Sequence, residues 1–68
     1  MNKVFLYVSA FCTFNQSIID SVPEYLVMSG VPLERAIIDI GGYRWFVHSV
    51  TWGEVEKDGY YYPKVIIK

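Results

Sequence analysis

Sixty-eight residues make a single domain, 1–68, and a chain this short buries only about 60% of the surface that its unfolded form exposes. Six Lys and Arg against seven Asp and Glu leave a net charge of −1, so no global basic field draws the chain to nucleic acid or to an anionic membrane. A lone cysteine (Cys12) and a lone histidine (His48) exclude an internal disulfide and fall short of the four ligands of a structural zinc site.

No metal and no cofactor is therefore expected, and stability has to come from apolar burial. Hydrophobic residues make up 53% of the chain and aromatic residues 18%, more than a monomer of this size easily hides. The composition predicts a homo-oligomer or a large apolar binding patch. No apolar run reaches the ~18 residues of a membrane span. The stretch from Lys3 to Cys12 imitates a signal peptide, but Tyr7 interrupts it and Phe11 stands where a small residue should precede the cysteine. A lone thiol without an export signal suits a reducing, cytoplasmic setting.

Residues 3–11 are β-branched or aromatic at most positions and read as a strand. Val4, Leu6, Val8 and Ala10 point to one side, and Phe5, Tyr7, Ser9 and Phe11 to the other. Both faces are largely apolar, so the strand is covered on both sides or carries a sticky second face. Cys12, with no His or Lys beside it in sequence, reads as a small buried hydrophobe.

A polar break over Thr13–Ser17 holds two candidate helix caps, Asn15 and Ser17. Ser21 and Glu24 have capping-box spacing, Pro23 suits a first helical turn and Gly30 suits a stop. These signals predict one short helix over 15–29, bent at Pro23. Residues 33–40 are ambiguous between helix and strand. The isoleucines at 37, 38 and 40, followed by Gly41-Gly42, favour a strand and a hairpin.

A two-residue turn at Gly41-Gly42 pairs Ile40 with Tyr43, Asp39 with Arg44, Ile38 with Trp45, Ile37 with Phe46 and Ala36 with Val47. A cross-strand Asp39–Arg44 ion pair is expected. A second turn at Asp58-Gly59 pairs Lys57 with Tyr60, Val55 with Tyr62, Trp52 with Val65 and Val50 with Ile67. The two hairpins then disagree about the strand they share. Trp45 and Val47 face the core in the first, and Val50 and Trp52 in the second, yet strict alternation puts those pairs on opposite faces. A β-bulge near His48-Ser49 resolves the conflict and curls the sheet, or both faces are covered, one by the helix and one by a second subunit.

The fold expected is α+β, in the order strand, helix, strand, strand, strand. A small antiparallel sheet, curled toward a half-barrel, packs on the helix. Tyr61–Lys68, which carries Pro63 and ends in Lys68, reads as an edge strand. The N-terminal strand, apolar on both faces, is the expected place for a partner or a second subunit to add.

Catalytic constellations are weak. Cys12 and His48 have no local motif around them, and the Glu54–Glu56 pair sits at an expected hairpin end. Gly41-Gly42 is a turn and not a phosphate loop. Gly42-Tyr43-Arg44-Trp45-Phe46-Val47 departs from the RNP1 motif of RNA-recognition modules at Gly41, Arg44 and His48, and no second long helix follows.

What remains is surface. Tyr, Trp, Phe and Arg are enriched at interface centres and abundant here. The sequence therefore predicts a non-enzymatic protein–protein interaction module, a regulator or inhibitor of the kind a phage encodes. It would dock through Phe5, Tyr7, Arg44, Phe46, His48, Tyr60, Tyr62 and Lys64. The alternative is a single-stranded nucleic-acid binder that uses the same aromatic and basic face.

Overall fold

The structure, a computed structural model, describes residues 2–54 and 61–68, with Glu54 and Tyr61 described by backbone alone. The Asp58-Gly59 turn, Glu56 and Tyr60 lie outside the described residues. The elements are β1 (Asn2–Val8), α1 (Gln16–Asp20), β2 (Tyr25–Met28), β3 (Ile37–Ile40), β4 (Tyr43–Glu54) and β5 (Tyr61–Ile67). The five strands form one sheet in the order β2-β1-β5-β4-β3, curled into a half-barrel, with α1 the one helix among the described residues.

The expected helix over 15–29 is corrected. Asn15 does cap a helix, its side chain accepting from the Ile18 N–H at 3.1 Å. Ser21, expected to start a helix, ends this one: its hydroxyl and its N–H both donate to Ile18 O, at 2.6 and 3.1 Å. Pro23 then disfavours helical backbone at Val22. Beyond it Tyr25-Leu26-Val27-Met28 alternates exposed and half-buried, the period of a strand. β2 pairs antiparallel with β1, Phe5 opposite Tyr25 and Asn2 opposite Met28.

The β3–β4 hairpin follows the expected register from Ile37–Phe46 to Ile40–Tyr43. Gly41 and Gly42 have φ of +60° and +87°, the left-handed pair that a tight two-residue turn requires and a side chain resists. Asp39 and Arg44 face each other across this ladder, but among the described residues no ion pair joins them.

A bulge interrupts β4 where the two hairpins disagreed. Val47 pairs with Ile67 and Ser49 with Ile66, leaving His48 as the extra residue. It restores Val47 and Val50 to one face, so a single core persists. The β4–β5 register is two residues from the expected one: Val50 faces Val65 and Trp52 faces Pro63. A slide of two keeps every side chain on its own face, so burial pattern alone does not separate the two registers.

β5 is not an edge. It lies between β4 and β1 and pairs parallel with β1, Phe5 opposite Lys64 and Val8 opposite Ile67, which makes the sheet mixed rather than antiparallel. The edges are the short strands β2 and β3. Pro63 is nonetheless accommodated, nearly fully buried opposite Trp52.

The core is one face of this sheet: Val4, Leu6, Ile40, Trp45, Val47, Val65 and Ile67. Cys12, Phe14, Ile18, Ile19 and Val22, from α1 and its flanking segments, pack against it. Phe14 is the main fastener, with its ring 4.6 Å from Trp45 and 5.7 Å from Tyr43, centroid to centroid. Val50 packs against the core from beyond the bulge, whereas Trp52 is 62% exposed.

Candidate docking surface on the open sheet face

Period-two alternation and the strand registers place the other set of side chains on the opposite face. β2 contributes Tyr25 and Val27, and β1 contributes Lys3, Phe5 and Tyr7. Tyr62, Lys64 and Ile66 come from β5, Arg44, Phe46, Ser49 and Thr51 from β4, and Ile37 and Asp39 from β3. Lys68, paired with Phe46 through N–H···O bonds of 2.9 and 3.0 Å in both directions, extends the face past β5.

Large apolar side chains on this face meet solvent. Tyr25 is 40% exposed, Tyr7 49%, Phe46 50%, Ile37 55% and Val27 59%. Phe5 is the exception at 7%, because its neighbours enclose it. Tyr25 and Tyr62 flank its ring at centroid distances of 5.7 and 5.6 Å. Lys3 lies over the group, its Nζ 4.3 Å from the Tyr25 centroid, 5.5 Å from Phe5 and 6.0 Å from Tyr62. Such cation–π contacts are worth about 0.5–1 kcal/mol at an exposed site and hold both the rings and the ammonium in place.

Among the described residues, Lys3, Arg44, Lys64 and Lys68 share the open face with one acid, Asp39. Asp20 belongs to α1, on the covered side. Lys64 crosses Gly53, where an added Cβ would lie 2.8 Å from its Cε; the missing side chain leaves room for the lysine stem.

Of the residues singled out from sequence, Phe5, Tyr7, Arg44, Phe46, Tyr62 and Lys64 come together on this face. His48 stands exposed at the bulge, its Nδ1 3.4 Å from the Ser49 hydroxyl, and Tyr60 lies outside the described residues. Tyr25, Val27, Lys3 and Ile37 were missed. Tyr25 and Val27 had been assigned to a helix, and only the alternation of 25–28 after Pro23 signals their place. Cys12 is half-buried against the core on the covered side, while His48 is exposed. Among the described residues no helix is long and apolar enough to cross a membrane.

Compared with protein-family models, curated proteins and solved structures, the chain has no match, so its reading rests on its own residues.

Proposed function

We propose that this chain is a small non-enzymatic interaction protein that docks its open sheet face on another protein and thereby regulates or inhibits it. The observation that carries this reading is the set of half-exposed apolar residues, Tyr7, Tyr25, Val27, Ile37 and Phe46, spread among cations over one face of a sheet whose other face is covered. Clustered apolar exposure, as at Phe46 and its cross-strand neighbour Ile37, marks an interaction site more often than idle surface. Affinity capture from the cells that express the chain, run beside a Tyr7→Ser/Phe46→Ser variant, tests it. The expected result is a protein retained by the native chain and lost by a variant that still unfolds cooperatively well above the capture temperature. Identical captures from both would remove the face from the reading.

The homo-oligomer expected from composition belongs to the same proposal. Sedimentation at micromolar concentration checks it, and a clean monomer rejects it.

A second reading, single-stranded nucleic-acid binding, is favoured by the placement of Lys3, Lys64, Lys68 and Arg44 beside Tyr62, Tyr7 and Phe46. Fluorescence titration with a labelled oligonucleotide at low and moderate salt decides it. Salt-sensitive binding supports it, and absence of binding at low salt rejects it.

A further inference from the structure

Two backbone irregularities flank Val47. On one side Arg35 and Ala36 together face it: Arg35 N–H donates to Val47 O at 2.8 Å, and Val47 N–H donates to Ala36 O at 2.9 Å. Arg35 has a φ of +70°, and Ala36 N–H closes the turn on Leu33 O at 3.1 Å. Glycine is the usual residue for the left-handed first position of such a bulge, and an arginine there carries a backbone cost. On the other side His48 is the extra residue between Val47 and Ser49. The two distortions bring Arg35 and His48 into one hollow, completed by Glu34, Phe46, Val47 and Lys68. Strained backbone and bulges concentrate where a side chain has to be aimed at something.

The hollow holds two cations, a histidine ring and one acid around the half-exposed ring of Phe46. It opens onto the corner of the docking face, because Phe46 and Lys68 belong to both. Among the described residues the rest of that face has the same sign, Lys3, Lys64 and Arg44 against Asp39. A guanidinium matches a carboxylate in a forked pair, and an ammonium beside it reinforces the attraction.

The geometry points to an acidic polypeptide segment as the partner of the open face, one carboxylate seated among Arg35, His48 and Lys68 and apolar neighbours lying on Phe46 and Ile37. This rests on the docking reading and names the chemistry of its partner. A polypeptide fits better than a nucleic-acid strand because the most exposed apolar residues of the face, Val27 and Ile37, are aliphatic. They offer area but no plane for a base to stack on. The Phe5 ring is already enclosed by Tyr25 and Tyr62.

The test is an amide-shift titration of the isotope-labelled chain at low salt with three probes. They are a short peptide alternating Glu and Leu, the same peptide with Lys for Glu, and a short oligothymidylate. The acidic peptide is expected to shift the amides of Arg35, Phe46, His48 and Lys68, and the basic peptide to leave them in place. Arg35→Gly removes the cation and relieves the backbone; it is expected to keep or raise the thermal midpoint while weakening the acidic peptide about fivefold. Lys68→Glu, outside the strained turn, is expected to weaken it by about tenfold. Equal binding of both peptides, unchanged affinity in both variants, or oligothymidylate shifting the same amides at lower concentration would overturn the proposal. Failure of the acidic peptide alone, with capture of a protein still dependent on Tyr7 and Phe46, removes the acidic partner and leaves the docking face standing. Loss of both removes the docking reading as well.

Discussion

The two faces of the sheet are built from the same strands and are both rich in large apolar residues. On one, Phe14 and the α1 segment close over Trp45, Val47, Val65 and Ile67. On the other, Tyr7, Phe46, Val27 and Ile37 stay in solvent, fenced by Lys3, Lys64, Arg44 and Lys68. What separates core from surface here is the supply of covering chain, not the hydrophobicity of the strands. The covering segment carries few charges and many branched side chains; the open face interleaves its rings with cations, whose stems lie on apolar surface while their heads remain hydrated.

The largest expected effect is on the covered face. Trp45→Ala leaves a void in a close-packed core and is expected to cost about 3–5 kcal/mol, enough to shift or abolish the urea unfolding transition. A loss below ~1 kcal/mol would mean that the cover is loose. Phe5→Ala probes the one well-buried residue of the open face among the described residues. If Tyr25, Tyr62 and Lys3 enclose it as a small satellite core, the same measurement gives about 2–3 kcal/mol. Tyr7→Ser and Phe46→Ser, each at a half-exposed ring, are expected to cost about 1–2 kcal/mol in thermal unfolding, well below Trp45→Ala, while abolishing partner capture. A destabilisation comparable to that of Trp45→Ala would show that the two faces do not differ as described. Lys3→Gln keeps length and removes the charge over the Phe5, Tyr25 and Tyr62 rings, with an expected loss of about 0.5–1 kcal/mol that persists at high salt to the extent that it reflects packing.

Much of this contrast was legible from alternation alone. The Gly41-Gly42 signal set the β3–β4 register because a two-residue turn leaves one pairing to choose, and the parity conflict between the hairpins pointed to the bulge at His48. Six of the residues chosen from sequence share the open face for the same reason: period two assigns faces without knowledge of neighbours. The long-range arrangement was not legible. Nothing local announces that β1 and β5 pair in parallel, and the β4–β5 pairing is degenerate to a slide of two residues. Tyr25 and Val27 were lost from the site because a proline and a serine–glutamate spacing match a helix start as well as a turn into a strand. Alternation puts Arg35 on the same face as Phe46 and His48, but does not reveal its left-handed backbone, because a φ of +70° there goes with the two-against-one pairing of Arg35 and Ala36 with Val47.

The central place of β5 has a consequence for how the chain reaches this state. Phe5 and Lys64 are direct neighbours although 59 positions separate them in the sequence. Until β5 arrives, the β1–β2 pair and the β3–β4 hairpin are two separate fragments, each with an apolar edge lacking its partner. The cost of closing that large loop falls before most of the reward, so folding is expected to be slow for so small a chain, and the half-assembled fragments are its aggregation-prone species.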